Sequence, residues 1–315
     1  MAGESFTDSG LAAVNTMVSA LFTKGFATEQ RNLPWGLLAT DLGKSTAKNR
    51  SLDFLGDVPR MTEMGRDSTQ QFGVARFNHT MTHTEYSAML AVRMSDLATD
   101  QMSQYPGKIA ELAKEAAGHP GQLLFAQLEA NPTGYDAAAY FANTHAFGAA
   151  ANIDNLAAGT GVTSAAIETD IAVNRATMMR YQTNTGVAMG GIPDLLVIPP
   201  ELSIVFAKTL GTVRTPGGVD NTVGVVDPSQ GRVWKAGGYT VLEWEGLSDT
   251  NNWYMFNTRG EIKPFLYSWI VQPRVLNTPS FNDDSAKNHA VLEYVVYGEY
   301  GVQVSLPQLG IAVVN

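Results

Sequence analysis

His79 and His83 stand four residues apart in a stretch rich in threonine and glutamine. On a helix that spacing brings two rings to one metal ion, whereas on a strand it holds them about 13 Å apart. The surrounding residues read as strand, so both are expected to be polar residues of a hairpin. Glu243 and Glu245 lie two apart on a predicted strand and so share one face, the placement a general acid/base pair needs. A solvent-facing strand edge is the simpler expectation. Gly159-Thr160-Gly161 precedes a predicted helix as a phosphate cradle would, but lacks the Gly-Lys-Ser/Thr ending and a clear preceding strand. Trp234, Tyr239, Trp244, Trp253, Tyr254 and Phe256 could floor a sugar or base platform, with core and interface packing as the expected role. Neither a nucleophile elbow, a His-Glu-x-x-His motif nor a dinucleotide fingerprint occurs. The sequence therefore assigns no catalytic residue, no metal ligand and no cofactor.

Composition narrows the classes further. With no cysteine, disulfides, thiolate metal sites and thiol nucleophiles are excluded. A formal charge of −9 without a basic run argues against a dedicated nucleic-acid reader. No apolar run approaches the ~18 residues of a membrane span, and no basic-then-apolar leader opens the chain, so a soluble cytoplasmic product is expected. Only 16% of the 315 residues are charged, below the usual ~25%. Either extensive subunit contacts or an uncharged polar surface accounts for that deficit.

The elements that must position these residues are legible from periodicity. Ser95 to Asn131 carries Ile109, Leu112, Ala116, Leu123, Leu124 and Leu128 at helical spacing, which predicts a long spine helix with one apolar stripe. Pro106 suits its first turn, while Pro120 predicts a kink. Leu11, Val14, Val18, Leu21 and Phe22 predict a short first helix after the capping candidates Thr7, Asp8 and Ser9. Thr28 to Gly43 loses period and reads as an arm packed on its own domain or on a neighbour. Leu52 to Gly56 is strand-like, and Arg66 to Tyr86, poor in apolar anchors, suits a long hairpin whose partners lie on another chain. A second helix is predicted over Ser164 to Gln182, and a buried strand at Leu195 to Ile198 feeding a helix with Pro200 first. Further strands are predicted at Tyr239–Trp244, Trp253–Phe256, Glu261–Val271 and Val291–Val304. Thr258 to Gly260 reads as a hairpin turn and Asn282 to Ser285 as a solvated loop. The fold class is α+β, with no internal repeat.

Taken in order, several segments resemble the major head subunit of Mu-like phages, a family with the capsid fold first described for phage HK97. Leu55-Gly56, Pro59, Glu63, Gly65 and Arg66 are similar to a Leu-Gly…Pro…Glu-Trp-x-Gly-x-Arg pattern, with Met64 at the tryptophan position. Glu85 to Asp96 resembles the family's return strand and acidic step into the spine, with Ser95-Asp96 in place of paired acids, and Pro120 fits its mid-spine proline. Tyr135-Asp136, Tyr140-Phe141 and His145 resemble a Tyr-Asp-Gly…Phe-Phe…His segment, with Ala137 at the glycine. Leu195 to Pro200, Trp253 to Pro264, Asn282 to Asp284 and Glu293, Tyr297 and Gly298 follow in the family's order. Residues 1–49 carry little of it.

The resemblance implies an HK97-like major capsid fold: an N-terminal arm (1–43), an extended β-hairpin loop (44–93), a peripheral domain built on the spine helix (94–162 and 263–315) and an axial domain (163–262). It implies a non-enzymatic subunit that assembles with itself into hexamers and pentamers of an icosahedral head around double-stranded DNA. Assembly would take place in the host bacterial cytoplasm and the product would reside in the virion. Scaffold, portal and decoration proteins are the implied partners, packaged DNA is touched non-specifically, and no membrane is involved. Arm and loop are expected to interlock neighbours, with Leu33, Trp35, Arg66, Phe72, Arg76, Phe77, His79 and His83 as contact candidates. Two alternatives stand beside this: a nanocompartment shell of the same fold around a cargo enzyme, and a soluble hydrolase or carbohydrate-binding module using Glu243 and Glu245.

Overall fold

A computed structural model describes residues 8–31, 34–55, 76–98, 105–145, 153–182, 188–211, 213–214, 220–221, 232–276 and 279–315. The chain opens with helix α1 (Asp8–Arg31), a 3-10 turn at Pro34–Leu37 and strand β1 (Ala39–Lys44). Strands β2 (Asn49–Leu55), β3 (Arg76–Thr82) and β4 (Thr84–Arg93) follow, then α2 (Met94–Ala98) and the spine helix α3 (Tyr105–Ala130). Next come β5 (Leu156–Ala158), α4 (Ser164–Arg180), β6 (Leu195–Ile198), a 3-10 turn at Pro200–Leu202 and α5 (Ser203–Gly211). Two short strands, β7 (Val213–Arg214) and β8 (Asp220–Asn221), precede β9 (Val233–Ala236), β10 (Tyr239–Glu243) and β11 (Trp253–Phe256). The chain closes with β12 (Phe265–Val275), α6 (Asp284–His289), β13 (Val291–Val304) and β14 (Gly310–Val314).

The spine helix continues through Pro120 without ending there. Its buried stripe is Ile109, Ala113, Ala117, Leu124, Phe125 and Leu128, while Leu112, Ala116 and Leu123 are only partly buried. The stripe is thus turned from the one read off the larger apolar residues. Small residues face inward because α1 approaches closely: a Cβ built on Gly25 of α1 would sit 3.0 Å from the Ala113 Cβ. Leu11, Val18 and Phe22, spaced at helical intervals, bury the facing side of α1 against Ile109 and Ala113 and against Leu292, Tyr294 and Val296 of β13. Helix α1 runs nine residues past Phe22.

The first sheet has the order β1-β12-β13-β4, with β1 parallel to β12 and the other pairs antiparallel. Along β13 the even positions Leu292, Tyr294, Val296, Tyr300, Val302 and Val304 are buried, the period-2 pattern of a sheet with one face on the core. The second sheet has the order β5-β14-β11-β6-β10-β9. All four residues of β6 and all four of β11 are buried, because α4 and α5 cover one face and α3 the other. The C-terminal half of α3 is wedged between the sheets: Leu124, Phe125 and Leu128 join one cluster with Phe265, Tyr267 and Val304 of the first sheet and Val197, Tyr254 and Phe256 of the second.

Three local expectations change. Residues from Thr28 onward are not an irregular arm: α1 persists to Arg31, and β1 enters the chain's own first sheet by pairing with Phe265 to Trp269. Thr258 to Gly260 is not a hairpin turn, since β11 and β12 lie in different sheets. Its fold comes from Asp194, whose Oδ1 accepts from the Thr258 N–H (2.7 Å) and whose Oδ2 accepts from the Thr258 hydroxyl (2.9 Å). Asn282 to Ser285 is not wholly loop, because Asp283 stands at the N-cap of α6.

Candidate assembly surface

The side chains with catalytic types are engaged within the chain. Glu243 ends β10 and its Oε1 accepts from the Ser203 hydroxyl and the Trp234 indole N–H, both at 2.5 Å. Glu245 lies past the strand end and pairs with Arg232. The shared strand face expected for the two glutamates is therefore absent: the strand stops between them, where the Trp244 N–H donates to Ile198 O. The Gly159–Gly161 donors are likewise occupied. Asp170 accepts from the Thr160 N–H and hydroxyl, each at 2.9 Å, and Asn315 Oδ1 accepts from the Gly161 N–H at 2.9 Å. Trp253 is fully buried, while Trp244 stacks on Phe125 at a centroid distance of 3.9 Å. The aromatic set serves mainly as core.

A buried polar hub ties the loop after α3 to the rest. The His145 Nδ1 faces Asp136 Oδ2 at 2.6 Å, and its Nε2 faces Tyr140 O at 3.2 Å. Asn155 donates to Tyr140 O (2.8 Å) and Pro307 O (3.0 Å) and accepts from the Ala142 N–H (2.8 Å). Asn131, at the end of the spine, accepts from and donates to the Phe141 backbone at 2.7 and 2.9 Å. Burial raises the Tyr140 phenol well above its ordinary range, so its hydroxyl stays a donor, to Pro264 O and Leu306 O at 3.3 Å. Asn131 was legible from sequence only as the start of the Asn131-Pro132-Thr133-Gly134 breaker after the spine, and Asn155 was not singled out.

The hairpin is rooted in its own chain. Strands β2 and β3 pair from Asn49↔Thr82 to Leu55↔Arg76. Leu52 and Met81 pack on Leu266, and Thr82 crosses β13 so closely that a Cβ on Gly301 would lie 2.6 Å from Thr82 O. The Arg50 guanidinium donates to Leu42 O (3.0 Å) and to the buried Ser268 hydroxyl (2.9 Å). Beyond the root, Asn78 Nδ2 donates to Ser51 Oγ (2.7 Å) and Asp53 Oδ1 (2.9 Å), an exposed polar ladder. Tyr86 belongs to β4, which pairs with β13 over ten residues of the same chain. The partner strand expected on another chain is thus supplied within this one for residues 84–93.

Of the contact candidates, Trp35 is buried against Tyr267 in an edge-on pair 5.2 Å apart and fills the space a Cβ on Gly121 would need. His83 is fully buried, its Nδ1 at 2.9 Å from Lys48 O. Both are buried within the described subunit. His79 is half-buried beside Gln303, and burial lowers its pKa. Arg76 and Phe77 lie on β3, while Leu33, Arg66 and Phe72 lie outside the described residues. The surface that sequence reasoning missed is β4 itself, the sheet's last strand, whose outward residues Glu85, Ser87, Met89 and Ala91 are exposed, Met89 by 58%.

Residues 11–167 match the family model described as the Mu-like prophage major head subunit gpT. A search of curated proteins by sequence finds no match. Among solved structures, the procapsid of bacteriophage JBD30 superposes with a TM-score of 0.55 at 17% identity, covering 98% of this chain and 76% of that one. The capsid of the native GTA particle gives 0.54 at 14% identity, covering 89% and 88%. A virus-like particle from Pyrococcus furiosus gives 0.55 at 10% identity, covering 95% and 98%. These likenesses establish the HK97-type fold.

Proposed function

Because the chain belongs to the family of Mu-like prophage major head subunits, and so is a major capsid protein of a phage head, we propose how its parts divide the work of building that shell. Copies close into hexamers and pentamers around double-stranded DNA, with residues 163–262 toward the capsomer axis, residues 94–162 and 263–315 at the periphery, and 1–43 and 44–93 as arm and loop. Strands β5 and β14 lie outside residues 163–262 but pair into the six-stranded sheet with β11, β6, β10 and β9. The protein has no catalytic role and acts by repeated weak contacts.

The observation that carries this reading is the asymmetry of the first sheet: α1 and α3 seal one face, while the hairpin leaves it and β4 is its last strand among the described residues. An edge strand and a polar hairpin are surfaces that stay soluble alone yet pair with another copy. Leu33, Arg66, Phe72, Arg76, Phe77 and His79 are the proposed contacts of arm and loop. A scaffold, a portal and decoration proteins complete the head. DNA is held by confinement and counterions, which the charge of −9 allows, and assembly takes place in the host cytoplasm.

The test is to replace residues 57–74 with a short glycine-rich turn joining β2 to β3. Subunits that keep their circular dichroism and melting point but form no shells fit the reading; shells that form as before contradict it.

A further inference from the structure

A groove of about 480 Å³ runs along the outer side of the spine helix, between the end of α1 and the segment after β10. Its floor is aromatic, made by Trp35, Phe125 and Trp244. Its walls carry four carboxylates, Glu29, Glu115, Glu129 and Glu245, against two cations, Lys114 and Arg232. At one rim the chain displays what such a surface takes: the Arg232 guanidinium lies 5.6 Å from the Trp244 ring centroid and pairs with Glu245. Glu29, Glu115 and Glu129 form no ion pair among the described residues. Glu115 and Glu129 accept only hydrogen bonds, from the Gln122 amide and the Ser248 N–H.

We propose that this groove docks a cationic peptide segment of a partner protein, with a large apolar side chain on the Phe125–Trp244 floor and Arg or Lys side chains against Glu29 and Glu115. An apolar anchor supplies affinity by leaving water, and the acidic walls supply orientation and select against acidic segments. Arg232 on Trp244 shows the guanidinium-over-indole geometry that a partner arginine would repeat. The inference stands apart from the shell reading, because docking needs only the folded subunit.

The full-length protein is titrated with a fluorescent peptide of about a dozen residues, Leu and Arg in amphipathic order, and with its counterpart carrying Glu for Arg. The Arg peptide is expected to bind with a blue shift of tryptophan emission, and the Glu peptide to leave the emission unchanged. Glu29→Lys with Glu115→Lys should weaken binding roughly tenfold, while a charge-matched control outside the groove's lining, Glu201→Lys with Glu261→Lys, should leave it nearly unchanged. Trp244→Phe should weaken binding and remove most of the emission shift. Equal weakening by both charge pairs, an emission shift undiminished by Trp244→Phe, or no binding by the unaltered protein would overturn the proposal. Particle formation, read separately by electron microscopy, reports on the shell reading and not on this one.

Discussion

The two sheets solve the same burial problem in opposite ways. In the six-stranded sheet β6 and β11 hide every residue, with helices on both faces. In the four-stranded sheet β13 alternates buried and half-buried positions, and β4 hides only Val92. The first arrangement is a core that needs nothing from outside. The second leaves a face and an edge less covered among the described residues, beside the rooted hairpin. On the proposed reading the subunit concentrates its stability in one sheet and its contacts in the other.

The sharpest way to break this comparison is to damage each sheet and ask what is lost. Trp253→Ala, in a fully buried position on β11, should cost about 3–5 kcal/mol and unfold the subunit at low denaturant; urea titration of unassembled protein measures it. Asn155→Ala should cost about 1–3 kcal/mol, because Tyr140 O, Pro307 O and the Ala142 N–H lose a buried partner. Met89→Lys on β4 should leave unfolding within about 0.5 kcal/mol, since the side chain is exposed. Its effect should fall on assembly, read as lower shell yield by light scattering. If Met89→Lys destabilised the subunit as Trp253→Ala does, the division between the sheets would fail.

The smallest expected effect is pH-dependent. His119 of the spine hydrogen-bonds Tyr300 of β13 at 2.7 Å, and burial lowers its pKa below the ordinary 6.5, against a smaller opposing pull from Glu115. The unfolded chain therefore takes up the proton first on acidification. The contribution of the neutral ring is present above about pH 6.5 and is lost as pH falls from there through the lower folded value. His79, lowered by burial, acts in the same direction beside the same sheet. Melting points from pH 7.5 to pH 5 should fall less for His119→Gln than for the unaltered protein.

Legibility in the sequence followed the same division. Leu195–Ile198 and Trp253–Phe256 were readable as strands because a doubly covered strand is a continuous apolar run, and α4 began where predicted, at Ser164 with Thr163 as its cap. Strand β1, Ala39–Lys44, was missed because Asp41, Gly43 and Lys44 are poor strand formers and its place comes from pairing with β12, a partner 226 residues away at Ala39↔Phe265. The spine's existence was legible but its rotation was not. Ala113 faces inward where α1 arrives through Gly25, a contact no local pattern encodes. Trp35 looked like a docking residue for a related reason: the space it fills is left by the missing side chain of Gly121. At the surface the polar hairpin was recognisable by composition, while the place of β4 as the last strand of its sheet emerged only with the strand order.

The most direct test of the account is the size of what the chain forms. The full-length protein is expressed alone and with the proposed scaffold, fractionated by size exclusion with light scattering, and imaged by negative stain. Capsomer rings or closed shells are the predicted result. A subunit that stays monomeric with the scaffold present would contradict it.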